Sequence, residues 1–511
     1  MNKKLKPEHK IKRQISYLIL CLSYLFNFKT IIVIILCSAL FPVFGQKATG
    51  PLTVCSANPR YFADSTGKAV YLTGSHTWAN FATDQGSMDP PVVFDYDGYL
   101  DFLVAHNHNF FRGWVWELTY SEEGSNGGPF YWNPFPWQRT GPGNATDGKP
   151  RFDLNKYNQD YFDRLRKRVI AARDKGLYVS IMLFQGYAIQ FNRNEKDGYP
   201  LDGRNNINGI DAGIGYASNT LQFPKVTAKQ DEYVRKVIDA VNDLDNVLYE
   251  ISNESGSYST DWQYHMIDLI HQSEAGKPKQ HPVGMTFQYK GGSNEDLFKS
   301  HAEWISPDGS SGYGGIGTDP PINDGRKVLI VDTDHSYFWT GLRKDGLAAQ
   351  QSWVWKNFLR GNQTLFMDPY LSKIKIRNSP LGMTSDHFFG LSPDSYWETI
   401  RLAMGRTREY AMKMDLTATT PRNTLTSTGY CLADPGNEYL IYNPGGSKSF
   451  TVNLLSGIYY FEWYNPASGT VTDKGILEVA DCNYSFLTPF NGDAILYIKK
   501  SDQKDKTIIN K

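Results

Sequence analysis

This chain of 511 residues has few cysteines and no formal net charge. The chain has five cysteines, and 53 basic residues balance 53 acidic ones, so the formal net charge is zero. A neutral balance argues against nucleic-acid binding, which usually needs a basic domain or stripe. The cysteines at 55, 431 and 482 are too dispersed for a disulfide framework or a zinc site, although Cys431 and Cys482 could pair with each other.

Several familiar catalytic motifs are missing as well. The sequence contains no G-x-S-x-G elbow and no H-E-x-x-H, which argues against a serine hydrolase of the elbow type and against a zinc protease. His106 and His108 form an H-x-H pair, but no acidic ligand pattern accompanies them. We therefore expect neither a metal nor another cofactor.

The longest early apolar run is also too short to span a bilayer. It extends from Ile31 to Phe44, whereas a membrane-spanning helix needs about 20 apolar residues. Seven basic residues precede it, and the small residues Val43 and Gly45 suit cleavage before Gln46. We predict a signal peptide over residues 1–45 and a mature protein that is periplasmic, on the cell surface or secreted, with no stable membrane span. A late start codon and an uncleaved signal anchor are the alternatives.

Aromatic residues, by contrast, are abundant, with 12 Trp, 32 Tyr and 28 Phe. Packing in a core explains most such rings, and stacking against a flat ligand such as a sugar is the alternative. The length predicts two or three domains, or one large barrel with an appendage.

Residues 46–417 alternate short apolar runs with amphipathic helical segments, which is typical of repeated β–α units. Eight such runs predict a (β/α)8 TIM barrel, in which the loops after the strands build the active site. The two longest of these loops are predicted at Glu117–Arg151 and Gln185–Phe223. The predicted strands are Ala69–Thr73, Phe110–Trp116, Tyr178–Phe184, Val247–Ser252, Pro282–Phe287, Trp304–Ile305, Val328–Asp332 and Thr364–Met367.

The pattern changes after residue 417. Residues 418–500 contain short alternating runs separated by turn sequences such as NPGG and NPASG, which predicts a small antiparallel β-sandwich domain. Residues 501–511 are predicted to be a polar tail.

The segment VLYEISNE at residues 247–254 is the strongest candidate for catalysis. Alternation along a strand places Glu250 and Glu254 on one face and Asn253 on the other. A Glu at the mouth of a barrel strand can protonate a leaving oxygen, and the adjacent Asn can bind a sugar hydroxyl. We predict Glu254 as a general acid/base of glycoside hydrolysis and Asn253 as a substrate-binding residue.

A retaining mechanism needs a second carboxylate about 5–5.5 Å from the first. The segment VLIVDTDH supplies Asp332 and Asp334 on one alternation face. Either can be the nucleophile, with a slight preference for Asp332 because it ends the apolar run. The alternative is that one of them caps the next turn.

Five further residues are predicted to bind substrate. Arg112 lies in an apolar strand, where a buried cation needs a carboxylate or a substrate oxygen, and a structural ion pair is the alternative. His76 and Trp78 end the first strand, where a core histidine is the alternative. Trp132 and Trp137, in the loop PFYWNPFPW, offer a stacking surface, and packing of a lid on the barrel explains them equally well.

The segments RYFADSTGKAVYLTGSHTW, FFRGW and YEISNE resemble the clan A glycoside hydrolases, whose members are (β/α)8 barrels. Within that clan the chain is most similar to the apiosidase-like hydrolases, and its tail segments YLIYNPGG and YYFEWYNPASG resemble their C-terminal domain, which is often labelled collagen-binding. The resemblance implies that Glu254 is the acid/base on the fourth strand and that the nucleophile ends the seventh. The clan normally has a Glu there, whereas this chain has Asp332-Thr333-Asp334.

Together these features predict an exported glycoside hydrolase that cleaves a polysaccharide or oligosaccharide by a retaining mechanism, with Glu254 as the acid/base and Asp332 or Asp334 as the nucleophile. A protein of the same fold that binds carbohydrate or matrix without catalysis is the alternative, and direct activation of water by one Asp would give inversion. The sequence leaves the sugar, the linkage, endo or exo action and the oligomeric state open.

Overall fold

The computed structural model describes residues 47–501, apart from 79, 87, 122–128, 192, 310–317, 337–345, 369, 371–393, 447–448 and 481. The predicted signal peptide and nearly all of the predicted polar tail lie outside these residues. Among the helices of the described part, none is long and apolar enough to cross a membrane.

Eight parallel strands form the central sheet, and they follow one another around it in chain order. The last strand along the chain, Gln363–Met367, pairs with Val328–Asp332 on one side and with the first strand, Thr73–His76, on the other. The strands are β1 (Thr73–His76), β2 (Phe110–Gly113), β3 (Tyr178–Gln185), β4 (Val247–Asn253), β5 (Val283–Thr286), β6 (Trp304–Ser306), β7 (Val328–Asp332) and β8 (Gln363–Met367).

The sheet closes almost completely between β1 and β2. The backbone N–H of Asn109 donates to the carbonyl of Thr73 at 3.0 Å, and the side chain of Asn109 accepts from the N–H of Thr73. A Cβ atom at Gly74 would lie 1.8 Å from the carbonyl oxygen of Phe110, so only glycine permits this approach. The arrangement is that of a TIM barrel, as the sequence predicts.

Helices cover the outside of the barrel and bury apolar residues at helical spacing. In the helix before β3, for example, Tyr161, Leu165, Val169 and Ala172 face the core. Pro224 begins the helix before β4, where its missing N–H costs nothing. The main helices are α1 (Tyr96–Ala105), α2 (Gln159–Asp174), α3 (Pro224–Val241), α4 (Thr260–Glu274), α5 (Asn294–Lys299), α6 (Gly346–Leu359) and α7 (Glu398–Lys413).

The structure corrects the sequence prediction in two places. Ala69–Val70 pairs with Phe62–Ala63 in a small antiparallel sheet, because a tight turn at residues 64–67 folds the chain back, and the barrel begins only at Thr73. The predicted loop 117–151 also contains regular structure. Strands Trp137–Asn144 and Pro150–Tyr157 form an antiparallel pair, and Phe130–Asn133 lies between Asp84–Gly86 and Tyr120–Ser121.

The C-terminal part is antiparallel throughout its described residues. A six-stranded sheet has the order β9-β10-β11-β16-β13-β14, and β12 pairs with β15. These strands are β9 (Thr420–Pro421), β10 (Cys431–Asp434), β11 (Glu438–Asn443), β12 (Ser449–Leu454), β13 (Gly457–Asn465), β14 (Thr470–Val479), β15 (Cys482–Leu487) and β16 (Ala494–Lys500). The sandwich arrangement and the domain boundaries stay predictions.

Alternation along these strands gives the six-stranded sheet two buried faces. Tyr439 and Ile441 pack with Phe450 and Val452 of the smaller sheet. Leu440 and Tyr442 point the other way and pack in one cluster with residues of α6 and α7, such as Trp355. Cys431 is a free, buried thiol, and the side chain of Cys482, the partner that the sequence allowed, lies outside the described part of the chain.

Candidate active site

A charged layer crosses the barrel directly above its apolar interior. Phe110 of β2, Leu248 of β4 and Ile330 of β7 belong to one buried apolar cluster. Two residues further along the same strands, and therefore on the same face, the chain has Arg112, Glu250 and Asp332. Period-two alternation thus carries three charged side chains to one level near the C-terminal ends of the strands, where barrel active sites lie.

Arg112 is the centre of this layer and is fully enclosed by its partners. Its Nε donates to Glu250 Oε2 at 2.8 Å, and its Nη2 donates to the other oxygen of Glu250. Nη1 donates to Asp332 Oδ2 at 2.7 Å, and Nη2 also donates to Asn253 Oδ1 at 2.8 Å. Arg112 therefore contacts two carboxylates and an amide at once, as a planar fork with five N–H groups can.

The position of Asn253 differs from the strict alternation expected along β4. Its amide reaches the same guanidinium as Glu250, three residues earlier, because the strand ends at Asn253 and the chain turns there. Glu254, the next residue, has a φ angle of 50°, in the left-handed region that residues other than glycine rarely adopt. A non-glycine residue held in that region is frequently part of a functional site.

The buried charges of this layer do not cancel. Burial disfavours the charge on Arg112, but the carboxylates of Glu250 and Asp332 outweigh burial and raise its pKa. One cation thus faces two carboxylates, and a third carboxyl group is near, since Asp334 Oδ2 lies 3.9 Å from Arg112 Nη1. The layer carries an excess of negative charge, which favours a proton on the carboxyl groups around it.

Glu254 and Asp334 are the two carboxyl groups that respond to this excess. Burial raises the pKa of Glu254 to about 7, with Arg112 lowering it and Asp332 raising it further. Burial, the charge of Glu254 and that of Asp332 raise the pKa of Asp334 well above its usual range. Because Glu254 appears among the charges that act on Asp334, the two carboxyl groups titrate as an interacting pair.

Asp332 and Asp334 have different surroundings although only Thr333 separates them. Oδ2 of Asp332 accepts from Arg112, and Oδ1 accepts from the backbone N–H of Asp334 at 2.9 Å and lies 3.4 Å from His76 Nε2. Asp332 thus caps the single helical turn Thr333–Ser336, which is one of the alternatives that the sequence left open. Asp334 lies within that turn and is the more exposed of the two carboxylates.

His76 and Trp78 join the site from the end of β1. His76 is completely buried, and its ring stacks on Trp114 with centroids 5.3 Å apart and planes 7° apart. Trp78 lies edge-on to the same ring, with centroids 6.3 Å apart. His76 therefore contacts the capping carboxylate of Asp332 rather than an open surface.

Trp132 and Trp137 do not form the exposed stacking surface that the sequence suggested. Trp132 is 4% exposed and packs against Trp116 with ring centroids 4.9 Å apart. Trp137 is 8% exposed and packs against Tyr233 of α3. Both rings pack the strands at residues 130–144 against the rest of the barrel domain, as expected from the alternative in which this segment packs on the barrel as a lid. A role for them in substrate binding stays a prediction.

Glu117, which lies four residues beyond the end of β2, is a further buried acid that the sequence patterns did not indicate. Glu117 and a set of aromatic residues that includes Trp116 and Trp137 line a small recess. Its Oε2 accepts from the backbone N–H of Gln185 at 2.7 Å, and burial raises its pKa to about 7. The signal available in the sequence was an acid in the apolar run FFRGWVWEL.

Comparisons with known proteins agree with this architecture. Residues 119–290, less than half of the chain, match the model of a domain of unknown function, DUF6298. No curated protein matches the chain. A solved structure described as a glycoside hydrolase has a TM-score of 0.55 at 11% identity, covering 88% of this chain and 97% of that chain.

A second solved structure is a glycoside hydrolase family 5 protein from Bacteroides vulgatus ATCC 8482. It also has a TM-score of 0.55 at 11% identity, and the alignment covers 88% of this chain and 93% of that chain. The similar structures are thus glycoside hydrolases, and at this identity they establish a shared fold.

Proposed function

We propose that this protein is a retaining glycoside hydrolase in which Glu254 is the acid/base and Asp334 is the nucleophile. The observation that carries the proposal is the interacting pair of Glu254 and Asp334 beside a buried charged layer with excess negative charge. Acid-assisted cleavage of a glycosidic bond requires two carboxyl groups, one that donates a proton and one that reacts as a carboxylate, and an interacting pair from different strands can divide these roles.

Glu254 begins the reaction as the acid. With its pKa raised to about 7, it carries a proton in about half of the molecules at pH 7 and can donate it to the glycosidic oxygen as the bond to the anomeric carbon breaks. In the second half of the reaction its carboxylate removes a proton from the attacking water. A group that serves as both acid and base needs a pKa near the working pH.

We assign the nucleophile to Asp334 because its side chain is the more exposed of the two, at 9% against 1% for Asp332. An oxygen of ionised Asp334 would attack the anomeric carbon and form a glycosyl ester, which water then hydrolyses. Asp332 acts as a positioning residue, since it accepts from the backbone N–H of Asp334 and connects that turn to Arg112.

The charged layer also suits the transition state. The sugar ring becomes an oxocarbenium-like cation as the bond breaks. Glu250 and Asp332 against Arg112 leave a net negative charge already in place near it, fixed by hydrogen bonds and screened from water. Preorganised charge of this kind lowers a barrier because it does not reorganise during the reaction.

The test is reducing-sugar release from plant and host glycans by the wild type and by Glu254→Gln, Asp334→Asn and Asp332→Asn. We expect Glu254→Gln to lower kcat about 10²–10⁴-fold, and Asp334→Asn to lower it at least as much. Asp332→Asn should be milder, since an amide oxygen can still cap the turn. On the glycan that is cleaved, the first product should retain the anomeric configuration in an NMR time course.

Glu295→Gln is the matched control, because Asn294-Glu295 repeats the Asn-Glu dipeptide at an exposed position. It should behave as the wild type. Full activity of Glu254→Gln would reject the proposed acid, and an inverted product would reject the retaining mechanism. A wild type that binds a glycan but cleaves none would favour the binding protein. We further propose that the protein acts outside the cytoplasm, on a polysaccharide or oligosaccharide.

A further inference from the structure

An exposed group of aromatic rings surrounds the loop that follows β4. We call this group the aromatic rim and define it as Tyr187, Phe191, Tyr216, Tyr258 and Tyr289. Phe191, Tyr216 and Tyr289 are 37%, 48% and 47% exposed, which is unusual for large aromatic residues. All five residues lie in segments that follow β3, β4 or β5, and therefore at the C-terminal end of the barrel.

The rings of the rim form two ordered groups. Tyr216 stacks on Tyr258 with centroids 3.9 Å apart and planes 20° apart, and the exposed ring of Tyr216 has solvent around it. Phe191 meets Tyr289 edge to face at 5.6 Å, and Lys290 Nζ lies 4.4 Å from the centroid of the Phe191 ring. Aromatic and cation–π contacts of this kind fix the rings before any ligand arrives.

Hydrogen bonds connect the rim directly to the proposed acid. Gln190 Nε2, next to Phe191 in the short helix Gly186–Phe191, donates to the backbone carbonyl of Glu254 at 3.1 Å. The N–H of Ser257 donates to the carbonyl of Lys290 at 3.4 Å, so the loops after β4 and β5 are joined. Tyr258 is four positions after Glu254 in the chain, which limits the distance between their Cα atoms to about 14 Å.

Backbone conformation supports the same region. Among the described residues, three that are not glycine have a left-handed φ, and two of them are Glu254 and Lys290, with φ angles of 50° and 63°. A Cβ at Gly256 would lie 2.5 Å from the Tyr258 ring, so this loop packs too closely for a larger residue. Such backbone is retained where a fixed geometry is needed.

We infer that the aromatic rim binds sugar units of the leaving group, so that the substrate continues past the bond that is cleaved. This inference rests on the proposed function. The sugar that is attacked must reach the carboxylate after β7, whereas the rim follows β3, β4 and β5, around the acid that protonates the leaving oxygen. The apolar faces of sugar rings can lie flat on exposed aromatic rings, and polar groups at the edges then set orientation.

The inference names the substrate class. An enzyme that removed a single sugar from a small aglycone would not need five ordered rings beyond its acid. The rim favours an oligosaccharide or polysaccharide with at least one further sugar on the leaving side of the cleaved bond.

Binding can be measured separately from catalysis by using the Glu254→Gln protein in native gels that contain xylan, mannan, arabinan, pectic galactan or chondroitin sulfate. A glycan that binds the protein slows its migration in such a gel. Tyr216→Ala and Tyr289→Ala, each added to Glu254→Gln, should weaken the affinity for that glycan about tenfold, equivalent to about 1.4 kcal/mol. Tyr216→Phe keeps the ring and should recover most of that loss. Leu487→Ala, 69% exposed on β15, is the control for removal of an exposed apolar side chain.

Kinetics provide the second measurement. In the otherwise wild-type chain, Tyr216→Ala and Tyr289→Ala should lower kcat/KM for an oligosaccharide about tenfold more than for a nitrophenyl glycoside of the same sugar. If both alanine variants migrated as slowly as the Glu254→Gln protein, the inference that the rim binds sugar would be overturned, even if the enzyme is active. If the wild type cleaved nitrophenyl glycosides but bound no glycan, the inference about the rim would be overturned, whereas the proposed function would stand. A wild type that neither binds nor cleaves any glycan would overturn both.

Discussion

Two regions at the end of β2 bury carboxyl groups in opposite ways, although only four residues separate Arg112 from Glu117. Around Arg112 the carboxylates of Glu250 and Asp332 accept strong hydrogen bonds from one guanidinium. Around Glu117 the recess is mainly aromatic, and its carboxyl group accepts a hydrogen bond from the backbone N–H of Gln185. The first region surrounds its carboxyl groups with hydrogen bonds from a cation, and the second favours a neutral acid.

The difference follows from the cost of burying charge. A carboxylate moved out of water is destabilised by several kcal/mol unless a cation and hydrogen bonds replace the lost solvation. Arg112 provides both for Glu250 and Asp332. The charge of Arg193 also lowers the pKa of Glu117, but burial outweighs it, and the pKa rises to about 7. Burial thus favours the protonated form of Glu117.

The most damaging change to this contrast is Arg112→Met. It leaves the carboxyl groups of Glu250 and Asp332 buried without their cation, so we expect a loss of about 3–5 kcal/mol in the free energy of unfolding. Urea denaturation at pH 7 measures it. Acidification should return part of the loss, because protonated carboxyl groups no longer need the cation.

Arg166→Met is the matched control, since Arg166 contacts Asp243 through two nitrogens at the surface. Exposed pairs of this kind contribute about 0–1 kcal/mol. If both variants lost the same small free energy of unfolding, the buried carboxyl groups of Glu250 and Asp332 would not need the charge of Arg112. The contrast with Glu117 would then fail.

The sequence predicts the barrel well because its signal is local and repeated. The run Val328–Asp332 coincides with β7, and the other barrel strands after the first are found within a few residues of their predicted ends. The positions of Glu254, directly after the fourth strand, and of Asp332, at the end of the seventh, follow from counting strands. The antiparallel pair at residues 137–157 was missed because its buried residues depend on packing against the barrel rather than on alternation.

The partners within the site could not be predicted in the same way. Alternation put Asn253 on the face opposite Glu250, and only the turn at Glu254 brings its amide to Arg112. The relation between Asp332 and Asp334 depends on a single helical turn after β7, and neither periodicity nor spacing reveals which acid caps it. The burial of Trp132 likewise depends on a strand pairing that is distant in sequence.

A smaller effect is expected from Glu117→Gln, and it depends on pH. Because folding raises the pKa of Glu117 to about 7, the folded wild type binds a proton more tightly than the unfolded chain does. The stability from this group is complete below its unfolded pKa and is lost as the pH rises through about 7. Glu117→Gln removes that loss, so its fall in unfolding free energy between pH 5 and pH 8 should be about 1–3 kcal/mol smaller than that of the wild type.

Glu295→Gln, at an exposed position, should keep the wild-type pH dependence and serves as the control. Parallel stability curves for the wild type and Glu117→Gln would show that Glu117 is ionised in the folded protein. The acid would then resemble those around Arg112, and the contrast would disappear.

The smallest expected effect of Glu117→Gln is on the pH profile of catalysis. With Glu254 as the acid, kcat/KM should fall about tenfold per pH unit above its pKa of about 7. The charges that act on Glu254 are those of Arg112 and Asp332, so Glu117→Gln should move this alkaline limb by less than about 0.3 pH unit. One physical link between the regions exists, because Gln185 donates its N–H to Glu117 and accepts from Asn253 at 3.4 Å. A larger shift of the limb would mean that this link transmits the protonation of Glu117 to the site, and the two regions would then act as one titrating system.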